Sequence, residues 1–484
     1  MKSIHLSGTP RPRGRWRVAL LALSLLVVAQ AADVPAASAE RGLTTGIMDS
    51  EFRSAANRDV SLDLTERVDA GVVRIPLFWS NAVAGRPANP RDPSDPAYEF
   101  SAIDAAVKAA TQRGFRVLLT VRSAPEWAEG PNRPSEHVAP PGTWDPDPRA
   151  FGDFGHALAK RYSGSFPDPA SAPGAPLPRV SHYEVWNEGN LTSFLAPQWE
   201  GGQPRSPAIY RDLLNAFYDG VHSAGEGYVV IGGALAPYGT ARGGKRMRPL
   251  FFLRELLCLK GRRKLKPKRC PPVKMDAFSH HAISLGSPRS KPHHPDDAPT
   301  GQIGRVKRTV RAAEKGGNVT PRGRRPLWVT EFWWPSSPPA SANVPLPFGG
   351  VPLEKQARWI EEALYLFWTK GFDTAIYFQI RDPSDGGFPT GLFFADDTPK
   401  PAAQAFRFPF VTERQSRKRV RAWGKSPQAG ELVIERHKGG DWRPLKALNV
   451  GAGNVFTTKL KLRGAAVLRA RVGDEQSREW RQRG

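Results

Sequence analysis

Val185-Trp186-Asn187-Glu188-Gly189-Asn190 and Leu327-Trp328-Val329-Thr330-Glu331-Phe332-Trp333 decide how this chain reads. Each is an apolar, strand-like run that ends in a glutamate with amide or aromatic neighbours. Outward from these two runs, strand-like and helix-like segments alternate eight times between Gly42 and Phe410. The strands are expected at 43–48, 72–77, 116–121, 182–186, 228–232, 275–279, 327–330 and 373–378. They are short apolar runs, as strands buried on both faces are. The helices are expected at 62–70, 100–113, 148–162, 206–224, 249–259, 303–315, 353–370 and 400–408. In the second helix Ile103, Ala106, Val107 and Ala110 form one apolar face, and Gly114 follows as a stop.

Eight such units in this length predict an α/β fold, a (β/α)8 barrel over residues 40–410. An open doubly wound sheet shares the alternation and is the alternative. On a barrel Glu188 falls just past strand four and Glu331 just past strand seven, both on the C-terminal face. The segments leading from strand to helix at 78–99, 122–147, 284–302 and 331–352 are long, whereas return connections such as Gly71 and Gly371-Phe372 are short. Elaboration of one face is where a barrel builds a site. The Pro- and Ala-rich stretch 163–180 is the exception and reads as an irregular surface loop. After residue 410 the texture changes to alternating segments at 431–436, 456–462 and 466–472 between Gly-rich turns. Residues 411–484 are therefore expected to form a small all-β, immunoglobulin-like sandwich.

Residues 1–39 read as an export leader. Lys2, Arg11, Arg13, Arg15 and Arg17 precede an apolar run at 18–29, and Ala37-Ser38-Ala39 suits cleavage before Glu40. The run is shorter than the roughly 20 residues of a membrane span, so the mature chain is expected to be secreted or held at the cell envelope, with no stable membrane insertion after cleavage; an uncleaved anchor is the alternative. In an exported chain Cys258 and Cys270, twelve positions apart, most simply form a disulfide. Closing such a loop contributes about 3 kcal/mol in the chain-entropy treatment; two buried free thiols are the alternative. The formal charge is +24, with its excess in 242–274, 305–325 and the last seventy residues. Basic patches attract polyanions. Export favours an anionic cell-envelope polymer over nucleic acid as partner, and a merely solvated basic face is the plain alternative.

Two carboxylates at the mouth of a barrel are the minimum equipment for cleaving a glycosidic bond. Read singly, either glutamate is as readily a solvated strand end; read jointly, they point to Glu188 and Glu331 as a catalytic pair. At these positions the chain resembles the clan of retaining glycoside hydrolases (clan A) that includes families 5 and 39. There the acid/base glutamate follows an asparagine at the end of strand four, as in Asn187-Glu188, and the nucleophile ends strand seven, as in Thr330-Glu331. The resemblance spans about 42–410 and implies a retaining O-glycosidase; with the leader, the expectation is a secreted enzyme acting on a poly- or oligosaccharide. Glu331 would attack the anomeric carbon, and its charge would favour a protonated Glu188 able to donate to the leaving oxygen. Asn187 would hold the sugar 2-hydroxyl.

The resemblance also assigns supporting residues. Arg74 in Val73-Arg74-Ile75-Pro76 would keep the nucleophile ionised, and Trp127 in Pro125-Glu126-Trp127 would be a sugar platform, with Trp333 and Trp334 as further candidates. His281 in Ser279-His280-His281 would reach the site from strand six, although Ala282-Ile283 stands where the family carries Pro-Tyr. Tyr377 would stand where strand eight often carries a tryptophan. His280, His281, His293 and His294 lack the spacing of a metal site, so no metal is expected, and nothing in the sequence calls for a cofactor. Aromatic-rich long loops suggest an extended cleft and endo-action. A carbohydrate-binding barrel without turnover, or a basic envelope-binding protein, are the competing classes.

Overall fold

The computed structural model describes residues 40–171, 174–337, 350–384 and 387–484; the leader expected at 1–39 lies outside them. Eight parallel strands close into a barrel in sequential order. They are β1 (Thr44–Met48), β2 (Val72–Phe78), β3 (Arg116–Arg122), β4 (His182–Val185), β5 (Val229–Leu235), β6 (Ala277–His281), β7 (Leu327–Phe332) and β8 (Thr374–Phe378). β8 pairs back onto β1, with Thr44 opposite Thr374, which removes the open-sheet alternative. The outer helices are α1 (Arg58–Arg67), α2 (Ser101–Gln112), α3 (Pro148–Arg161), α4 (Ser206–Ser223), α5 (Pro249–Leu256), α6 (Ile303–Lys315), α7 (Leu353–Lys370) and α8 (Pro401–Arg407). Local chemistry sets their ends. Asp147 accepts the N–H groups of Arg149 and Ala150 ahead of Pro148 at the start of α3. α3 and α4 press together at glycines: a Cβ on Gly220 would lie 1.9 Å from the Gly152 carbonyl oxygen.

Alternation along each strand sends one set of side chains to the interior and the other to the helices. Inside, Val72, Leu118, Ile231, Ala277, Trp328 and Ile376 make an apolar floor. Two residues further along their strands, Arg74, Thr120 and Ser279 are polar, joined by Glu184 from β4. The barrel thus grades from apolar at its base to charged at its mouth.

Strands five and six depart from expectation. Gly233 (φ 121°) and Ala234 (φ 47°) bend β5 without ending it, and the register with β6 shifts between Phe278 and His280. Only glycine fits at 233, because a Cβ there would lie 2.1 Å from the Ser279 carbonyl oxygen. β6 consequently runs 277–281 rather than 275–279, and both histidines lie within it. Cys258 and Cys270 are joined. They close the base of a hairpin in which Leu259–Lys260 pairs with Lys266–Pro267. Among the described residues no helix is long and apolar enough to cross a membrane.

Beyond α8 the chain forms β9 (Phe410–Ser416), β10 (Arg419–Lys425), β11 (Gly430–Lys438), β12 (Asp441–Val450), β13 (Val455–Lys461), β14 (Ala466–Val472) and β15 (Trp480–Gln482). These make two antiparallel sheets, β9-β10-β13 and one in which β11 lies between β12 and β14. The sheets dock on α7. Tyr365 donates to Glu413 at 2.7 Å, and Trp423 packs 5.5 Å from the Tyr365 ring. At the seam Glu361 is 2% exposed, and burial pushes its carboxyl up to about 8.

Candidate active site

Glu184 sits at the centre of the polar layer with no exposure to solvent. It accepts Arg74 Nε at 2.7 Å, Thr120 Oγ1 at 2.8 Å and Ser279 Oγ at 2.7 Å. Burial opposes its charge, but Arg74, His281 and the Ser279 hydroxyl outweigh it and hold the carboxyl below its ordinary range. Arg74, itself buried, uses its remaining nitrogens upward. Nη2 donates to Asn187 Oδ1 at 3.0 Å, and Nη1 lies 3.4 Å from Glu331 Oε2. One guanidinium therefore links a buried carboxylate to two residues of the mouth.

The chain after β4 turns through two non-glycine residues with positive φ, Trp186 (65°) and Glu188 (44°). Such backbone persists only when its surroundings over-determine it, and it clusters at functional sites. Here the Trp186 N–H donates to Val121 O at 2.8 Å, the Trp186 indole to Phe194 O at 2.7 Å, and the Glu188 N–H to Ala234 O at 2.8 Å. Asn190, fully buried, staples the same loop to the one after β5. It donates to Ala236 O (3.1 Å) and Met247 O (2.9 Å) and accepts the Ala236 N–H (2.9 Å).

His281 joins the two glutamates. Its Nδ1 donates to Glu188 Oε1 at 2.9 Å and lies 3.7 Å from Glu331 Oε2. Burial works against a charged imidazole, but Glu331 and Glu188 together raise its affinity for the proton above the ordinary histidine range. Trp333 donates its indole N–H to Glu331 Oε1 at 3.2 Å. Its ring lies 5.7 Å from Phe388 and 6.4 Å from Phe378, so an aromatic wall stands beside one carboxylate. The structure thus brings Arg74, Asn187, Glu188, His281, Glu331 and Trp333 together. Glu331 lies within β7 rather than past its end.

Tyr377 does not join them. It is fully buried on the outer side of β8, donates to Thr390 O at 2.8 Å and packs against Phe332 and Phe406. Alternation is the reason: Ile376 and Phe378 face inward, so Phe378 is the aromatic that β8 gives to the mouth. Trp334 is likewise buried, with its indole bonded to Gly286 O at 2.8 Å. Trp127 packs edge-on against Trp79 at 5.6 Å, with the Arg86 guanidinium 5.6 Å from its ring. His280 points out of the barrel to Ala298 O, and burial pushes its imidazole down to about 4. Among the described residues no group of three histidine, cysteine or carboxylate side chains is arranged to hold a metal.

Several participants carried no motif. Glu184 could have been noticed as a carboxylate inside an otherwise apolar strand, which is rare without a partner. Arg122 and Arg53 gave no such signal. Arg122 lies 4.1 Å from the Phe78 ring centroid and Arg53 4.8 Å from the same ring. Burial, then the neighbouring Arg74 and Arg53, lower the Arg122 guanidinium to about 10, against the pull of Glu188 and Glu331. Among the described residues neither arginine has a carboxylate within ion-pair distance.

No protein-family model and no curated protein sequence matches the chain. Solved structures do match it. A GH39 β-xylosidase from Caulobacter crescentus aligns with TM-score 0.50 at 15% identity, covering 90% of this chain and 98% of that one. A GH39 enzyme from Xanthomonas axonopodis pv. citri aligns with TM-score 0.47 at 14% identity, covering 89% and 93%. A broad-specificity endoglucanase from Clostridium acetobutylicum gives 0.44 at 13%, covering 75% and 96%. At such identity the likeness is one of fold: the barrel together with its C-terminal β region has the architecture of the Caulobacter protein.

Proposed function

We propose that this chain is a secreted glycoside hydrolase that cleaves O-glycosidic bonds of a poly- or oligosaccharide with retention of configuration. The observation that carries the reading is His281, one imidazole nitrogen reaching both Glu188 and Glu331 on the face where barrels hold their sites. A retaining pair stands roughly 5 Å apart, an inverting pair roughly 6.5–9.5 Å. In the first step Glu331 attacks the anomeric carbon, the bond to the leaving oxygen breaks, and Glu188 gives that oxygen its proton. In the second Glu188 takes a proton from water, the water oxygen attacks the same carbon, and the ester to Glu331 breaks. Arg74 sets its guanidinium beside Glu331 and orients Asn187 toward the 2-hydroxyl, and Trp333 and Phe378 offer rings to the sugar face. The unpaired Arg53 and Arg122 at the rim favour a substrate bearing carboxylate or sulfate. Residues 411–484 serve as an accessory β domain whose docking on α7 supports the barrel.

The test is hydrolysis of neutral and uronate-containing polymers and of aryl glycosides, with the anomeric form of the first product followed by NMR. Glu331→Gln should abolish turnover. Glu188→Ala should spare the first step on substrates with activated leaving groups, which need no proton, and azide, which needs no base to attack the ester to Glu331, should restore the second step with a retained product. An inverted product, or full activity in the Glu331 variant, would sink the retaining assignment. Binding without turnover across a broad panel would make the barrel a carbohydrate-binding protein.

A further inference from the structure

The two basic stretches separated in sequence meet on the flank of the barrel. A cavity of about 740 Å³ lies between α5, the disulfide-closed hairpin and α6, lined by Arg262, Arg263, Arg305, Arg308, Arg311 and Lys315 among others. Few carboxylates answer them. Asp296 is shared by Arg254 (2.8 Å) and Arg262 (2.9 Å), and Glu314 pairs with Arg311 (2.6 Å). Arg263, Arg305, Arg308 and Lys315 have no ion-pair partner among the described residues, and the Nε of Arg311 is buried without an acceptor. Burial and the neighbouring Arg308, Arg254 and Arg262 all disfavour the charge on Arg305, with only Asp296 opposing. The hairpin that carries Arg262 and Arg263 also bears Lys264, Lys266, Lys268 and Arg269. The Cys258–Cys270 bond closes its base, where Lys268 pairs with Glu255 at 2.7 Å.

Arg262 also lines a second cavity, of about 470 Å³, with Arg242, Arg248 and His294 from the loops after β5 and β6. The two cavities therefore adjoin, one on the outer flank and one on the face that holds Glu188 and Glu331. The second cavity also carries two aromatic residues. Trp199 and Phe251 line it and lie ring on ring at 5.9 Å, with Arg242 over the first and Arg254, from the first cavity, over the second. Single-stranded nucleic acid is held by bases stacking on open aromatic faces. Here those faces are taken by guanidinium groups, and no aromatic residue lines the first cavity.

We propose that these adjoining cavities form a binding track for a linear acidic polysaccharide, separate from the catalytic pair and leading onto its face. The track binds by charge, with carboxylate or sulfate groups of the polymer replacing the missing counter-charges. It deepens the glycosidase reading by giving the polymer an anchor, but its test does not depend on turnover.

The full protein is titrated with alginate, dextran sulfate, neutral dextran and single-stranded DNA at one fixed salt concentration. A track variant, Arg262→Glu/Arg305→Glu/Arg308→Glu, is compared with a charge-matched control on the C-terminal sheets, Lys438→Glu/Arg443→Glu/Lys461→Glu. The track variant should lose about tenfold or more in affinity for the two acidic polysaccharides, and the control far less. Alginate or dextran sulfate should raise the Tm of the unmodified protein, because a ligand that binds only the folded state stabilises it; neutral dextran should not. Hydrolysis of a small aryl glycoside, if the protein performs it, should be unchanged in both variants. Equal losses in the two variants would reduce the effect to net charge and overturn the track. Tighter binding of the DNA than of either polysaccharide would overturn the ligand class. A protein that binds but hydrolyses nothing would overturn the glycosidase reading alone.

Discussion

His281 shows how a single side chain couples a buried frame to a partly exposed carboxylate pair. It has no solvent exposure, while the two carboxylates it serves are about 15% exposed. A charge-assisted hydrogen bond in such a place contributes about 1.5–3 kcal/mol. His281→Ala is therefore expected to lower kcat by about tenfold to a hundredfold with little change in KM, which steady-state kinetics on an aryl glycoside would show. An unchanged kcat would reduce the imidazole to packing. At this scale the sequence spoke clearly where a residue type is rare for its setting. Asn187-Glu188 and Thr330-Glu331 end apolar strands, and Arg74 interrupts one. It spoke poorly where the type is common: with 70 Lys and Arg in the chain, nothing set Arg53 and Arg122 apart. Tyr377 was misassigned because an aromatic pair, Tyr377-Phe378, fits either face until the strand's parity is known, and parity is a property of the closed barrel.

At the scale of elements, all eight strands and all eight helices were legible, because buried parallel strands must be apolar and surface helices must be amphipathic. The ends of β5 and β6 were not. Gly232-Gly233 looks like a strand terminator, yet in the barrel Gly233 is the point where β5 passes the Ser279 carbonyl and continues. Another glycine contact offers a direct measurement. At the α3–α4 crossing Gly220→Ala would drive a methyl group into the Gly152 carbonyl, and overpacking of this kind costs about 1–3 kcal/mol. Urea denaturation should show that loss, with the fold retained at low temperature. No loss would mean that the two helices separate freely.

For the whole molecule, the seam between barrel and C-terminal sheets makes stability depend on pH. The folded Glu361 titrates near 8, above its ordinary 4.5, because burial favours the neutral acid. Its contribution is thus fully present below pH 4.5, shrinks as the pH rises above that value and is lost through about 8. Glu361→Gln, which cannot ionise, should flatten the decline in Tm between pH 5 and pH 8. A decline identical in the variant would place the titrating group elsewhere. That these sheets dock on the barrel is the plain expectation for a small terminal β domain, but that α7 receives them could not be read from sequence, since the contacts join Tyr365 to Glu413 and Trp423 across distant parts of the chain.

Asn190 bears on how this scaffold can change. Its side chain spends every polar atom on the backbone of the neighbouring loop, at Ala236 and Met247. The loops after β4 and β5 are consequently one heritable unit. A foreign loop grafted after β5 must reproduce two carbonyls and one amide at those places, or it strands a buried amide beside the turn that aims Glu188. Recombination that moves the pair together keeps the turn intact; recombination that splits them does not.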